Sequence, residues 1–406
     1  MKIKIHKGYA KGCIKAPPSK SMAHRMLICA GLSKGVSTVH GIAESEDVLA
    51  TMDCLKALGA KIKREGDTVS VTGLGASLDE ISDDVILKCR ESGSTLRFFI
   101  PICLAMSKPI SLTGSERLLE RPLGIYEDIC REKDMFFSHK SGSIKVEGPL
   151  KAGTYKMAGN VSSQFVSGLL FALPLLDGES KIELIPPVES RSYIDMTIDA
   201  LSKFGIEVYW DGENTLIIPG RQTYEQSEVT VEGDYSNGAF FEALNVLGGQ
   251  VQVENLNNDT LQGDRVYMEM FECLKSEGKS LDISDCPDLG PILFSVAAAL
   301  NGGCFTGTAR LRIKESDRAT VMAEELAKFG VNVEVEADHV IVETTGLKEP
   351  KEELYGHNDH RIVMSMAVLS TVTGGIIEGA EAVAKSFPDF FEQLSLLGIE
   401  VEKIAD

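Results

Sequence analysis

The 406-residue chain is short of several things, and each shortage removes a class of protein. Basic residues come first. Against 60 Asp and Glu stand only 41 Lys and Arg, a net charge of −19, which opposes any general attraction to nucleic acid or an anionic membrane. A polyanionic partner would need a local cluster of cations. No run approaches the roughly 20 apolar residues that span a bilayer. The opening MKIKIHKGYAKG alternates basic and apolar residues like a strand, with no apolar signal core, so a cytoplasmic setting is expected. The nine cysteines (Cys13, Cys29, Cys54, Cys89, Cys103, Cys130, Cys273, Cys286 and Cys304) are odd in number, scattered and never spaced CxxC. Neither a disulfide framework nor a zinc site is indicated, and reduced thiols are expected. Also missing are GxxxxGK[ST], a GxGxxG after a strand and a GxSxG elbow, which leaves nucleotide hydrolysis, dinucleotide chemistry and an α/β-hydrolase triad without support.

What the chain does have is 43% hydrophobic residues, 38 glycines and only 6% aromatics, a balance that suits an α/β protein with many short turns. Its length exceeds what one core usually serves, so two domains are expected. One pattern recurs six times: a turn with Ser, Asn or Asp, a helix of small and aliphatic residues, and usually a Gly. The copies are SKSMAHRMLICAGLSKG (19–35), SGSTLRFFIPICLAMSK (92–108), NVSSQFVSGLLFALPLLDG (160–178), GDYSNGAFFEALNVLGG (233–249), PDLGPILFSVAAALNGG (287–303) and NDHRIVMSMAVLSTVTGG (358–375). Apolar on all sides, these helices should be buried. A second, amphipathic helix follows most of them and ends at a Gly, as at Gly59, Gly205 and Gly330, before alternating hairpin strands such as VNVEVEADHVIVE. Six units give two domains of three. The boundary falls near 231–235, and Pro17 and Pro18 mark a second crossing near 16–19. The expected domains are therefore 17–233, and 1–16 together with 234–406.

Helix N-termini favour anions, and the side chains at these starts agree. Lys20 and His24 lie one turn apart, as do Ser21 and Arg25. The second copy offers Ser92, Gly93, Ser94, Thr95 and Arg97, and the third Ser162, Ser163 and Gln164. The C-terminal half adds Asp288, then Asp359, His360 and Arg361, the run RLRIKESDR (310–318), and Lys385 in AKSFPDF. Taken singly, each has a plainer reading: a Ser/Gly turn can be only a cap, and Lys314 and Arg318 around Glu315 can be a surface ladder. His357 and His360 lack a third spaced ligand, so a metal is not expected. Taken together, scattered cations with a few carboxylates suit the joining of two anionic small molecules.

In order and separation, PPSKSMAHR, SGSTLR, ERP (120–122), VSSQF, SYID, KESDR, NDHR and KSFPDF resemble the 3-phosphoshikimate 1-carboxyvinyltransferases, the 5-enolpyruvylshikimate-3-phosphate synthases. The resemblance runs from residue 15 to the C-terminus. It implies the two-domain α/β enolpyruvyl transferase fold, each domain built of three βαβαββ-type repeats with buried parallel helices, joined by two crossover strands and closing on substrate. It also implies transfer of the enolpyruvyl group of phosphoenolpyruvate to the 5-hydroxyl of shikimate 3-phosphate through a tetrahedral intermediate, without a metal or other cofactor, by a monomer. Carried over by motif, Lys20, Gly93, Arg121, Gln164, Arg318, Arg361 and Lys385 would hold phosphoenolpyruvate. Lys20, Ser21, Arg25, Ser162, Ser163, Gln164, Ser190, Asp288 and Lys314 would hold shikimate 3-phosphate. Asp288 and Glu315 are the carboxylates for proton transfer, with Lys20, His360 and Lys385 as donors or charge stabilisers; the sequence does not divide these steps among them.

The charge demand is real, since like charges about 4 Å apart repel by roughly 4 kcal/mol at an effective dielectric near 20. Arg suits bidentate contacts to carboxylate and phosphate, and Lys supplies point charge. Three positions depart from the common pattern: Glu91 where many relatives have Asn, Ser192 in SRSY where many have Pro, and Arg310 where some have Asn. The sister family that uses UDP-N-acetylglucosamine commonly has a reactive Cys five residues before the Arg of an RP pair; here Glu116 stands there, before Arg121. A non-catalytic binding protein of the same fold would not need to keep Lys20 and the carboxylates.

Overall fold

The computed structural model describes residues 1–75, 82, 84–140, 142–276, 278–344 and 346–404. The chain forms two compact units, one inserted (Pro18–Glu232) and one discontinuous (Met1–Pro17 with Gly233–Asp406).

The inserted unit contains three four-stranded sheets with one plan: a parallel pair, then an antiparallel hairpin added to its second strand. In residue order across each sheet they are 228–230, 36–40, 68–72 and 61–65; 86–88, 110–113, 143–147 and 136–140; and 154–158, 180–185, 215–218 and 209–211. In the second and third sheets a helix, Gly93–Ala105 or Ser163–Ala172, connects the two parallel strands; in the first, helix Lys20–Leu32 leads into strand 36–40, and its parallel neighbour 228–230 comes from the end of the unit. These helices are buried along nearly their whole length, including every residue from Met22 to Leu32. Their uniform apolarity, which would be unfavourable on a surface, is what a helix packed on all sides requires. The second helices, Glu46–Ala57, Gly124–Glu132 and Arg191–Ser202, keep a polar face. Two of them end as the glycines predict: Gly59 and Gly205 have φ of +112° and +77°, and Ala60 N and Ile206 N reach back to Leu55 O and Leu201 O at 3.0 and 3.1 Å.

The discontinuous unit repeats the plan with two alterations. Its helices are Tyr235–Val246, Gly290–Ala299 and His360–Thr373, again buried. The sheet 280–282, 303–306, 339–343 and 332–335 follows the pattern, with Gly330 at φ +80° ending its second helix. The last sheet, 354–355, 375–378, 2–5 and 401–404, is completed by the N-terminal strand, which occupies the inner hairpin position. The remaining copy lacks a hairpin: strands 11–15 and 250–254 form a two-stranded parallel sheet. No helix among the described residues is long and apolar enough to cross a membrane.

One packing detail bears directly on function. Pro101 lies inside helix Gly93–Ala105 and has no N–H for the carbonyl of Arg97 four residues earlier. Tyr126 supplies the missing donor, its hydroxyl donating to Arg97 O at 2.8 Å and to Phe165 O at 3.2 Å. Gly168 makes room for it, since a Cβ there would stand 2.3 Å from Tyr126 Oη and 2.5 Å from Arg97 O. The two helices that carry Gly93, Arg97 and Gln164 are thereby locked in register.

Candidate active site

Five of the six buried helices open on a Ser or Asp whose side chain accepts from the first turn: Ser19, Ser92, Ser162, Asp234 and Asp359. The sixth, Gly290–Ala299, is preceded by the 3-10 turn Pro287–Leu289 that carries Asp288. Many of the candidate residues therefore sit at or beside these helix starts.

In the inserted unit, Lys20 Nζ pairs with Asp47 Oδ2 at 2.8 Å. Arg25 is 2% exposed, and its Nε, Nη1 and Nη2 donate to Thr197 Oγ1 at 2.8 Å, Ser21 O at 2.6 Å and Tyr193 O at 2.9 Å. All three acceptors are neutral, and no carboxylate among the described residues balances this guanidinium. Burial accordingly lowers its pKa to about 10, with Tyr193 and Cys29 opposing. Such a charge is costly unless an anion joins it. His24, one turn along, is not part of this group. Its Nδ1 bonds Thr51 Oγ1 at 2.7 Å in a buried chain that continues to Thr95 at 2.8 Å and Ser92 at 2.7 Å. Burial first, then Lys20 and Arg25, hold its pKa well below the usual imidazole range, so the ring is neutral and structural.

The second and third helix starts meet through Arg97, which donates from Nη1 to Gln164 Oε1 at 2.7 Å while Gln164 Nε2 donates to Ser94 Oγ at 3.0 Å. Arg97 also lies over the Phe165 ring at 5.2 Å. Arg121 comes so close to the Gly93 turn that a Cβ on Gly93 would stand 2.6 Å from Arg121 Nη1. Only glycine allows that approach. Ser162 Oγ accepts from Gln164 N at 3.3 Å, and Ser163 is buried beside it. Ser190, 2% exposed, sits in the left-handed region at φ 54° and ψ 40° immediately before helix Arg191–Ser202. An uncommon conformation for serine, it lies one turn from Tyr193, whose carbonyl receives Arg25.

In the discontinuous unit, Asp288 is the hub. Its Oδ1 receives Lys314 Nζ at 3.0 Å and Arg318 Nη1 at 2.9 Å, and its Oδ2 receives Arg361 Nη2 at 3.0 Å. Arg318, 1% exposed, also meets Glu315 Oε2 at 2.6 Å and Asp359 Oδ2 at 2.9 Å. Burial raises the Asp288 pKa, but Arg361, Lys314 and Arg318 outweigh it and hold the carboxyl well below its usual range. Burial lowers the Lys314 pKa, with Asp288 partly restoring it and Arg318 and Arg310 depressing it further. For Arg318, burial is overridden by Asp359, Glu315 and Asp288, which strengthen its proton affinity. The run RLRIKESDR is thus no surface ladder, because Lys314 and Arg318 both turn inward onto Asp288.

His357 and Asn358, both left-handed at φ 48° and 52°, aim the chain into the start at Asp359. His357 Nε2 is fixed by Glu325 at 2.9 Å, and Lys385 Nζ donates to Asn358 O at 2.5 Å. His360 is 1% exposed, with Nδ1 3.9 Å from Asp359 Oδ1. Phe387 packs on Phe241 with ring centroids 5.7 Å apart, anchoring the segment that carries Lys385.

The family model described as EPSP synthase (3-phosphoshikimate 1-carboxyvinyltransferase) matches residues 6–394. The chain belongs to the EPSP synthase family. A 3-phosphoshikimate 1-carboxyvinyltransferase of Clostridium kluyveri is 40% identical over 99% of this chain and 98% of that protein. One of Clostridium perfringens is also 40% identical, over 98% of each. A solved EPSP synthase structure from Acinetobacter baumannii superposes with a TM-score of 0.79 at 25% identity, covering 99% of this chain and all of that one. As a member of the EPSP synthase family, the chain is a transferase.

Against that family, sequence reasoning missed Asp47 as the partner of Lys20, Arg97 as the clamp on Gln164, and the roles of Asp359 and Glu325 as carboxylates that place cations. The signal for Asp359 was its position before the helix; the others arise from contacts distant in sequence. Of the three departures, Glu91 is half-buried beside the Ser92 cap, Ser192 Oγ is buried without a partner among the described residues, and Arg310 is buried with Nη2 donating to Ser284 O.

Proposed function

We propose that this chain transfers the enolpyruvyl group of phosphoenolpyruvate to the 5-hydroxyl of shikimate 3-phosphate, releasing phosphate, in aromatic amino acid biosynthesis. The observation that carries the reading is the set of buried cations at helix starts in a chain of net charge −19, within a family that performs this reaction. Arg25, which no carboxylate among the described residues balances, supports an anionic ligand beside Ser21, Ser162, Ser163, Gln164 and Ser190, and we assign this group to shikimate 3-phosphate; Lys314 and Asp288 are assigned to the same substrate on the family motif. Arg121 at the Gly93 turn, Gln164, Arg318, Arg361 and Lys385 are assigned to phosphoenolpyruvate, and Lys20 to both.

In the first step the 5-oxygen bonds to C2 of phosphoenolpyruvate, its proton passes to a carboxylate, and C3 takes a proton to become a methyl group. In the second step the methyl group returns a proton and the C2–O bond to phosphate breaks. Asp288, kept ionised by three cations, and Glu315 are assigned as the carboxylates. Lys20, His360 and Lys385 supply protons or stabilise the charge that develops. No nucleic acid or membrane partner enters this chemistry, and we propose a cytoplasmic monomer as the working form. The deciding assay is phosphate release from phosphoenolpyruvate with shikimate 3-phosphate, run beside UDP-N-acetylglucosamine. Release with the former alone is expected, and its absence refutes the reading.

A further inference from the structure

Two turns after Arg318, on the same face of helix Arg318–Lys328, stands Glu325, 2% exposed. Its Oε2 accepts from Tyr355 N at 2.9 Å, its Oε1 meets His357 Nε2 at 2.9 Å, and Lys328 Nζ bridges both oxygens at 2.9 Å. An ionised carboxylate only accepts, so His357 carries its proton on Nε2. Burial raises the Glu325 pKa, but the bonds from His357, Lys328 and Tyr355 outweigh it and hold the carboxyl below its usual range. Its hydrogen bonds are therefore of the stronger, charge-assisted kind. The Tyr355 ring also meets the His357 ring edge-on, with centroids 4.9 Å apart.

These contacts hold a short stretch of unusual backbone. Gly356 N donates to Glu378 O at 2.8 Å, and a Cβ on Gly356 would stand 2.6 Å from Val363 Cγ2 and 2.9 Å from Gly379 O, so the chain is pressed against helix His360–Thr373 as it turns. His357 and Asn358 follow at φ 48° and 52°. Two successive left-handed residues other than glycine persist only where their surroundings fix them. Glu325 supplies that hold on both sides of Gly356, through Tyr355 N and His357 Nε2. What the bend delivers is the carbonyl of Asn358, which receives Lys385 Nζ at 2.5 Å. The direction of that carbonyl follows from the backbone angles on either side of it, so the place of the ammonium depends on the carboxylate.

We propose that Glu325 and His357 are positioning residues for the Lys385 ammonium: the carboxylate holds the left-handed bend, the bend aims Asn358 O, and Asn358 O seats the ammonium for phosphoenolpyruvate. The inference rests on the functional reading above, in which Lys385 serves phosphoenolpyruvate. A neutral carbonyl suits this task, because it orients the ammonium without cancelling its charge as a carboxylate in the same place would.

The test is a mutant cycle read on KM, which does not depend on how much of the enzyme is folded. Glu325→Ala, His357→Gly, Lys385→Met and each of the first two combined with Lys385→Met are compared with wild type, for KM of each substrate at saturating concentration of the other. Where turnover is too slow to follow, Kd for phosphoenolpyruvate with shikimate 3-phosphate present takes the place of KM. Glu325→Ala and His357→Gly should each raise KM for phosphoenolpyruvate about 10-fold, since misplacing a binding group by about 1 Å is costly, while KM for shikimate 3-phosphate holds. Glycine accepts φ 48° freely, so His357→Gly removes the imidazole without opposing the bend and keeps the test open if Glu325→Ala does not fold. Glu325→Gln should return KM to within about 3-fold of wild type, because its Oε1 can accept from Tyr355 N while its Nε2 donates to the other tautomer of His357. The combined variants decide the matter. If Glu325 and His357 act through Lys385, removing either from Lys385→Met changes KM for phosphoenolpyruvate by less than about 2-fold, whereas a merely structural residue adds its full effect. Additive effects, equal rises for both substrates, or an unmoved KM in Glu325→Ala and His357→Gly overturn this inference alone. An unmoved KM in Lys385→Met overturns the assignment of Lys385, and no wild-type turnover overturns the enolpyruvyl reading; the inference falls with either.

Discussion

Replacing Arg318 with methionine removes the charge but keeps most of the side-chain length, so the loss is mainly electrostatic. The guanidinium meets Asp288 at 2.9 Å, Glu315 at 2.6 Å and Asp359 at 2.9 Å while only 1% exposed. Breaking a buried pair from one side costs roughly 3–5 kcal/mol, because the partner charge stays buried. Here Asp288 keeps Lys314 and Arg361, and Asp359 keeps Ser316 Oγ at 3.1 Å and Arg361 N at 3.0 Å. A loss of about 3–4 kcal/mol at pH 7 follows, between 100- and 1,000-fold in the unfolding equilibrium at about 1.4 kcal/mol per decade. The sign of its pH dependence is fixed. A carboxylate depressed in the fold adds stability above its ordinary value near 4, and that stability is lost as pH falls through the folded value. Arg318 helps to depress Asp288, so the gap between wild type and variant should be widest at neutral pH and narrow below about pH 4. Denaturant-dependent hydrogen exchange, read on peptides of each unit, measures this without assuming that both units unfold together. Adding Asp359→Asn should recover part of the loss. A deficit below about 1 kcal/mol, a deficit that does not narrow as pH falls from 4 to about 2, or one shared by peptides of the inserted unit would refute the reasoning.

Two further outcomes are expected. Asp288→Asn and Glu315→Gln should each cut kcat by about 100-fold or more while changing KM less, since proton transfer contributes about that much; near-normal turnover in a purified variant removes that residue from acid–base work. In Gly93→Ala the new Cβ would lie 2.6 Å from Arg121 Nη1, so the guanidinium must withdraw. KM for phosphoenolpyruvate should rise about 10-fold or more, since a displacement near 1 Å is costly, while KM for shikimate 3-phosphate holds; equal effects on both would refute the placement of Arg121.

The repeat was legible because it is written in local chemistry. Ser19, Ser92, Ser162, Asp234 and Asp359 cap as their positions suggest, and Gly59, Gly205 and Gly330 end helices at positive φ. Each of these depends on neighbours within a turn or two. Two features escaped because they depend on partners far along the chain: the missing hairpin after strand 250–254, and Arg97, whose carbonyl needs Tyr126 only because Pro101 cannot donate. His24 reads as a third cation in SKSMAHR, yet its neutral state is set by Thr51 and by burial, which a heptapeptide does not encode.

By itself the sequence determined the class, the six buried helices and the kinds of charge at their starts, since apolar periodicity, capping and glycine placement act over a few residues. Tertiary structure alone decided which charges are balanced. Arg25, Lys314 and Arg318 look equivalent as letters, but the first meets no carboxylate among the described residues and the other two converge on Asp288. The same packing holds Asp288 ionised against its burial, because desolvation and charge proximity are properties of the folded surroundings.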